Sequence, residues 1–294
     1  MVARVVEAVV VNYNAGVHLE AAVKSLLDDG VERVWIVDNA SEDGSSSFAD
    51  NTDVRVSVVD PGGNLGYGRG ANLGFQKTDS SYVIISNPDI EVLPGTLLSL
   101  IKDLEADRKR VLVGPQLVNS DGSVYPSVRY FPSLLDAGGH AIMGQVFPNN
   151  RFTRRYRMLD VDHSASFDAD WVSGAFFLVR SDAFREVGGF NPQFFMYLED
   201  VFLCRSLGKL GYQVRFCGVA VVRHVQGLTT ASRPLRMILA HHKSLWTYAK
   251  LTNQGWRKIG LLPVGLGVLL RLLISVILSF SDRKAKKTDS DLTK

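Results

Sequence analysis

Hydrophobic residues in the first 115 positions alternate between two kinds of segment. Short runs rich in Val and Ile carry few charges, and they occupy residues 5–11, 34–37, 54–59 and 82–85. Such runs are typical of strands buried on both faces of a parallel sheet. Between them, apolar residues recur at helical spacing, as at Leu19, Ala22, Val23, Leu26 and Leu27 ahead of Gly30. The alternation predicts an α/β fold with a mostly parallel central sheet, with sites at the carboxyl ends of its strands.

The pattern changes after about residue 115. Residues 119–123 predict a hairpin turn, and residues 126–168 are irregular and rich in Arg. Further on, the sequence predicts a strand over 175–179, a helix over 199–207 and a strand over 212–222. We therefore place one domain over residues 1–225, with halves of about 1–115 and 116–225.

A long apolar segment follows at residues 259–280 and is long enough to span a bilayer. Arg271 near its middle would cost about 2.5–3.5 kcal/mol there. Three alternatives stay open: a helix in the membrane interface with Arg271 snorkelling, which we favour, a transmembrane span, or a packing helix of the globular domain. Residues 226–280 are thus predicted to form a helical, membrane-associating segment, and residues 281–294 a disordered basic tail.

Composition adds exclusions more than assignments. The chain has 294 residues, 46% hydrophobic and 21% charged, which is ample for a core. A net charge of +3, without a basic stripe that interleaves aromatic residues, argues against nucleic acid as a partner. Cys204 and Cys217 have no metal-site spacing and are expected to be reduced, buried thiols. The first residues lack the pattern of a signal peptide.

Two adjacent carboxylates, Glu199 and Asp200, follow an aromatic cluster at 194–197. A general base works best when its pKa is shifted toward the working pH, and repulsion and desolvation can supply that shift. In a sugar transfer, such a base would take the proton from the hydroxyl of the acceptor molecule. Asp200 is therefore our candidate base, with Glu199 orienting or binding that acceptor. The alternative is a charged helix start that the helix dipole stabilises.

A second acidic position, Asp89, follows Asn87 and Pro88 at the end of a predicted strand. Mg²⁺ or Mn²⁺ needs only one or two carboxylates when phosphate oxygens complete its shell, so Asp89 is a candidate metal ligand. His224 follows a Val-rich strand and is a weaker candidate for the same ion, with a satisfied core histidine as the alternative.

Polar residues at the ends of the first two strands and a glycine-rich segment at 62–72 indicate a nucleotide site. The glycines do not match the dinucleotide fingerprint, which disfavours a dehydrogenase. The residues expected to bind the nucleotide sugar are Asn12, Asn14, Asp38, Asn39, Gly66, Tyr67, Asn72 and Asn87. Those expected to bind the acceptor are Arg154, Arg155, Trp171 and Gly174.

Several motifs resemble the family 2 inverting glycosyltransferases of the GT-A fold. They are Val10-Val11-Asn12-Tyr13-Asn14, Val37-Asp38-Asn39-Ala40-Ser41, Asn64-Leu65-Gly66-Tyr67-Gly68 and Asn87-Pro88-Asp89. Segments 121–127, 195–201 and 240–244 are similar to the rhamnosyltransferase branch. The resemblance implies dTDP-rhamnose as donor and a polyprenyl-diphosphate-linked GlcNAc as acceptor, in synthesis of the arabinogalactan linker of a cell wall. It also implies Mg²⁺ or Mn²⁺ as cofactor.

The resemblance further implies a role for each matching residue. Asp38 falls where the family binds the nucleobase, Asp89 at the metal and diphosphate, and Asp200 at the base. The first half of the domain then binds nucleotide and the second binds acceptor. We expect action at the cytoplasmic face of the plasma membrane, as a peripheral or monotopic protein, and leave a homo-oligomer open.

One departure concerns the base. The family usually has a second Asp where this chain has Phe202. If that Asp only orients the acceptor or the helix start, activity survives; if it is the family's base, the assignment of Asp200 fails. Phe202 thus favours the alternative of a protein that binds a nucleotide sugar without catalysis. A separate alternative is a family 2 transferase that uses another nucleotide sugar, such as a UDP-hexose.

Overall fold

The computed structural model describes residues 5–50, 53–131, 158, 161–225, 234–253 and 255–292. The strands are β1 (Val6–Asn12), β2 (Arg33–Asp38), β3 (Val56–Val59), β4 (Tyr82–Ser86), β5 (Ile90–Val92), β6 (Arg110–Val118), β7 (Val124–Tyr125), β8 (Val128–Arg129), β9 (Phe167–Ala169), β10 (Trp171–Val172), β11 (Phe176–Arg180) and β12 (Gln213–His224). The helices are α1 (His18–Asp28), α2 (Tyr67–Phe75), α3 (Thr96–Glu105), α4 (Ser181–Glu186), α5 (Glu199–Lys209), α6 (Pro234–Thr252) and α7 (Leu261–Leu292), with 3₁₀ turns at Ser47–Asp50 and Gly255–Gly260.

One large sheet runs through the described residues in the order β3-β2-β1-β4-β11-β6-β12-β5. Strands β3, β2, β1 and β4 are parallel, and β11 joins this half to β6 by antiparallel pairing on both sides. Asn12 at the end of β1 lies opposite Asp38 at the end of β2. The predicted α/β architecture with a mostly parallel sheet is confirmed, and its carboxyl ends meet at one edge.

Strand β1 shows why the sheet is buried on both faces. All of its residues are buried, and alternate side chains point to opposite faces. Val6, Ala8 and Val10 pack in one core cluster with α1 and α3. Val9 and Val11 pack in the other, with α2, α4 and α5. The continuous apolar run of the sequence therefore serves two cores.

Helix α2 lies very close to the sheet. A Cβ on Gly74 would lie 2.4 Å from Val9 Cγ1 and 2.8 Å from Val37 Cγ2. Only glycine therefore allows this approach. The close packing fixes Tyr67, the first residue of α2, beside the ends of β1 and β4.

The C-terminal helices α6 and α7 pack as a pair. A Cβ placed on Gly265 of α7 would lie 3.1 Å from Cζ3 of Trp246 on α6. Residues Lys258–Val276 are long and apolar enough to cross a membrane, with a mean hydropathy of 2.2 and no buried residue. This exposure disfavours the alternative of a packing helix of the globular domain.

Helix α7 continues to Leu292, where the sequence analysis expects a disordered tail over 281–294. Residues 281–292 contain neither Gly nor Pro, so no local feature interrupts the helix. Other predicted elements differ from the structure mainly at their ends. The strand predicted at 54–59, for example, begins at Val56, because Val54 is 93% exposed.

Candidate active site

A cavity of about 470 Å³ lies at the carboxyl edge of the sheet. Strand ends and the segments that follow them contribute Asn39, Asn87, Asp89 and His224, and the glycine-rich segment contributes Asn64, Gly66 and Tyr67. The other lining residues include Phe195, Met196, Arg236, Met237 and Ala240. The cavity thus unites both halves of the domain with α6.

Asp89 and His224 meet inside this cavity, although they are 135 positions apart. Strand β12 pairs antiparallel with β5, which places His224 opposite Ile90. His224 Nε2 then lies 3.1 Å from Asp89 Oδ1 and 3.3 Å from Asn87 Nδ2. The other ring nitrogen of His224, Nδ1, is buried and makes no hydrogen bond within the described structure.

This pair fits a divalent cation. A carboxylate oxygen and an imidazole nitrogen are both groups that can ligate Mg²⁺ or Mn²⁺, and a bound ion would replace the 3.1 Å hydrogen bond that now joins them. The part of the chain that the structure describes contains no group of three His, Cys, Asp or Glu residues able to hold a metal. A cation here would therefore need oxygen ligands from a substrate, such as phosphate oxygens.

The residues predicted at the first two strand ends separate into two groups. Asn39 lines the cavity, where its Nδ2 donates to the Gly66 carbonyl at 3.2 Å. Asn12, Asn14 and Asp38 do not line it. Asn12 donates to Ser45 Oγ at 2.8 Å, and Asn14 Oδ1 accepts from the Glu42 amide at 2.7 Å. These side chains hold the loop that follows β2.

Asp38 belongs to the same loop. Its carboxylate accepts from the Ser41 amide at 3.0 Å and from Ser46 Oγ at 2.5 Å. These bonds match the turn-capping alternative for Asp38. Asn72 is similarly occupied, because it exchanges two hydrogen bonds with the Phe190 backbone, at 2.8 and 2.9 Å.

Gly66 connects the glycine-rich segment to the acidic segment. Its φ is +83°, and a Cβ there would lie 2.1 Å from the Phe195 carbonyl oxygen. The next amide, Tyr67 N, donates to that same carbonyl at 3.0 Å. Any side chain at position 66 would push the two segments apart.

Helix α5 begins at the two candidate carboxylates. Tyr197 and Leu198 have φ values of +71° and +63°, which turn the chain so that Glu199 and Asp200 occupy the first turn. Asp200 accepts hydrogen bonds from the Gly174 and Val201 amides, each at 2.8 Å. Both of its oxygens are thus fixed by backbone.

Tyr67 links Asp200 to the cavity. The Tyr67 side chain lines the cavity, and its hydroxyl donates to the Gly174 carbonyl. Burial raises the pKa of Tyr67 well above its ordinary value, and the charges of Glu199, Asp200 and Asp89 raise it further. Asp89 lines the cavity with Tyr67, whereas Glu199 and Asp200 do not line it; Glu199 is buried, and Asp200 is connected to Tyr67 through Gly174.

The carboxylates themselves are shifted as a base requires. Burial, with a contribution from the charge of Asp200, raises the pKa of Glu199 to about 8. Its Oε2 is buried and makes no hydrogen bond to a described residue. Burial also raises the pKa of Asp200, although the amide bonds from Gly174 and Val201 oppose that rise.

We expect Glu199→Gln to change how stability depends on pH. The ordinary pKa of 4.5 applies in the unfolded chain, and the pKa in the folded chain is about 8. Between these values the unfolded chain gives up a proton that the folded chain keeps, so wild-type stability falls as pH rises. Glu199→Gln removes this loss, and its melting temperature should exceed the wild type's at pH 8 but not at pH 4.5.

Melting curves at several pH values would check this, with the exposed Glu20→Gln as a matched control. If the melting temperatures of the wild type and Glu199→Gln differ by the same amount at every pH from 4.5 to 8, the raised pKa of Glu199 is contradicted.

The residues predicted for the acceptor have other surroundings. Trp171 is buried and donates through Nε1 to the Tyr130 carbonyl at 3.1 Å, with the Arg129 guanidinium over its ring. Gly174 is the backbone bridge between Tyr67 and Asp200. Arg154 and Arg155 lie outside the described residues.

Phe202 lies on α5 between two aromatic rings. Its centroid is 5.6 Å from that of Phe194 and 6.5 Å from that of Tyr248 on α6. An aromatic side chain there packs α5 against α6. Phe195, Met196, Arg236, Met237 and Ala240, which the sequence analysis does not assign to the site, also line the cavity. The aromatic cluster at 194–197 pointed to the segment that holds Phe195 and Met196, whereas Arg236, Met237 and Ala240 belong to no motif.

Comparisons with known proteins identify the family of this chain. The family model "Glycosyl transferase family 2" matches residues 7–188, and "Glycosyl transferase family group 2" matches residues 126–281. The N-acetylglucosaminyl-diphospho-decaprenol L-rhamnosyltransferase of Mycobacterium tuberculosis (strain ATCC 25618 / H37Rv) is 36% identical over 265 residues, covering 86% of each chain.

Two solved structures share the fold. The mannosyltransferase PcManGT from Pyrobaculum calidifontis, in complex with GDP-Man and Mn²⁺, has a TM-score of 0.58 and 16% identity, covering 98% of this chain and 79% of that one. GalNAc-T7 with UDP, GalNAc and Mn²⁺ has a TM-score of 0.58 and 15% identity, covering 76% of this chain and 43% of that one. The family match spans more than half of the sequence. The chain belongs to glycosyl transferase family 2 and is a glycosyltransferase.

Proposed function

We propose that this enzyme transfers L-rhamnose from dTDP-rhamnose to a polyprenyl-diphosphate-linked GlcNAc, with inversion, in cell-wall linker synthesis. The Mycobacterium tuberculosis relative is named for a transfer of this kind, to N-acetylglucosaminyl-diphospho-decaprenol. The observation that carries the chemistry is a chain of contacts from the cavity to Asp200. Tyr67 lines the cavity together with Asp89 and donates to the Gly174 carbonyl, and the Gly174 amide donates to Asp200. These contacts support a cation site and a base that serve one cavity.

The donor would occupy the cavity with its diphosphate beside Asp89 and His224. These two residues would hold Mg²⁺ or Mn²⁺, and the ion would supply positive charge that stabilises the departing diphosphate. Asn39 and Asn87 would orient the donor by hydrogen bonds from the cavity wall. Both solved neighbours were obtained with Mn²⁺.

Asp200 would take the proton from the acceptor hydroxyl. The hydroxyl oxygen forms a bond to the anomeric carbon while the bond from that carbon to the donor phosphate breaks, and the electron pair leaves with dTDP. Inversion follows from this single displacement. Glu199, whose raised pKa keeps it protonated at neutral pH, could donate a hydrogen bond to the acceptor.

The C-terminal pair of helices would rest on the membrane that holds the acceptor. Large apolar side chains are exposed along α7 and the turn before it, at Ile259, Leu262, Leu266, Leu269, Leu270, Leu273 and Ile274. Their spacing places them along one side of the helix. We name this surface the α7 stripe. It favours the interfacial arrangement. The membrane surface in our proposal is the cytoplasmic face of the plasma membrane.

Arg271 lies near α6 in this arrangement. The pKa of His241 is lowered to about 4, mainly by burial and secondly by the positive charge of Arg271. That Arg271 also snorkels to the membrane surface stays a prediction. The side of α7 that carries the stripe is left available for lipid.

Product analysis tests the proposed reaction. Purified enzyme is incubated with Mn²⁺, GlcNAc-diphospho-prenol in vesicles and one donor at a time: dTDP-rhamnose, UDP-glucose, UDP-galactose or UDP-GlcNAc. We expect a lipid-linked rhamnosyl-GlcNAc from dTDP-rhamnose alone. Transfer from a UDP-hexose instead would reject the donor, and nucleotide binding without transfer from any donor would favour the non-catalytic alternative that Phe202 raises.

The same assay addresses the membrane. A variant with exposed Leu266 and Leu270 changed to Glu should lose transfer to the acceptor in vesicles and keep transfer to a short, water-soluble acceptor. Equal transfer to both by this variant would argue against contact between the stripe and lipid.

A further inference from the structure

Helix α6 forms part of the active-site wall. Arg236, Met237 and Ala240 line the cavity together with Asp89. The helix is attached to the acidic segment, because Ser244 Oγ donates to the Met196 carbonyl at 2.7 Å. The position of Arg236 at the cavity is thus supported by contacts further along the same helix.

The charges around the cavity make Arg236 distinctive. Among the described residues that line the cavity, Asp89 carries the one carboxylate and Arg236 the one guanidinium. Arg236 is exposed and makes no ion pair with any other residue in the described ranges. A cavity-lining arginine that pairs with no carboxylate of the described residues is available for an anionic ligand.

A diphosphate is the anion whose chemistry fits this wall. Asp89 alone would repel a diphosphate, and a divalent cation leaves part of the diphosphate charge unpaired. Arginine binds phosphate oxygens through two parallel N–H donors, which makes it well suited to this group. Both the donor and the acceptor of the proposed reaction carry a diphosphate.

We propose that Arg236 binds a substrate diphosphate in this cavity. The assignment rests on the proposed function for the identity of the substrates, but it requires only that a diphosphate enters the cavity. Through Arg236, the helix pair that carries the α7 stripe would also contribute directly to substrate binding.

The test compares Arg236→Ala with Lys243→Ala, which removes an exposed cation from the same helix without touching the cavity. Calorimetry with Mn²⁺ measures affinity for dTDP and for dTMP, which lacks the second phosphate. If the donor diphosphate is the ligand, Arg236→Ala should weaken dTDP by about tenfold to a hundredfold and dTMP by much less. Lys243→Ala should leave both affinities unchanged.

A second measurement tests whether the diphosphate that Arg236 binds belongs to the acceptor and not to the donor. If the acceptor supplies it, Arg236→Ala should leave dTDP affinity unchanged and raise KM for GlcNAc-diphospho-prenol by a similar factor, with a smaller change in kcat. Arg236→Lys should recover part of either loss, because it restores the charge without the paired donors.

Unchanged dTDP affinity together with unchanged acceptor KM in Arg236→Ala would overturn the proposal, as would an equal loss in Lys243→Ala. Failure of the rhamnose reaction is distinguishable, because the comparison can be repeated with UDP and UMP without any sugar transfer. If Arg236→Ala weakened the affinity for UDP but not for UMP, the diphosphate role of Arg236 would be supported even with a different donor sugar.

Discussion

Asp200→Asn is expected to bind dTDP as tightly as the wild type and to transfer sugar about a thousandfold more slowly. The amide has the shape of the carboxylate, and its oxygen can still accept one of the two backbone N–H bonds that Asp200 receives. It cannot take a proton from the acceptor. Single-turnover rates, with nucleotide affinity measured alongside, would check this.

Glu199→Gln is the matched comparison for this change. It removes the neighbouring titratable group and leaves Asp200 in place, so a smaller loss of rate is expected. If Asp200→Asn transfers at a near-normal rate and Glu199→Gln does not, the base is Glu199.

Asp89→Ala is expected to lower transfer by about two to three orders of magnitude, the kinetic equivalent of several kcal/mol of lost charge stabilisation. It should also abolish the effect of Mn²⁺ on dTDP affinity, because His224 alone is a poor site for a hard cation. Turnover and dTDP affinity across a Mn²⁺ titration would measure both effects.

Glu91→Ala is a suitable control for this variant. Glu91 is exposed on β5, where it pairs with Arg223 beside His224, but it does not line the cavity. It should keep normal Mn²⁺ dependence. Undiminished Mn²⁺ dependence in Asp89→Ala would remove Asp89 from the metal site.

The fold was largely predictable because its signals are local. The Val-rich runs give strands wherever they occur, and the two faces of β1 explain why such a run has no polar side. Asp89 and His224 were also identifiable one at a time. Their meeting depends on the antiparallel register of β5 and β12, which no short stretch of sequence encodes.

The rest of the site depends on contacts between distant segments. Asp38 looks like a nucleotide ligand by position, yet its two oxygens bind Ser41 and Ser46 a few residues away. Arg236 carries no motif, and only the packing of α6 beside the acidic segment brings it to the cavity. Gly66 is recognisable as a special residue, but its partner, Phe195, is visible only in the fold.

The backbone at Tyr197 and Leu198 has a consequence for turnover. Left-handed geometry costs roughly 1–2 kcal/mol at each non-glycine residue, so this turn stores conformational strain next to Asp200. The bonds from Ser244 to Met196 and from the Phe202 amide to the Leu198 carbonyl hold the strained form. Asp200, the proposed general base, is thereby preorganised before the acceptor arrives, and the reaction need not supply the energy to position it.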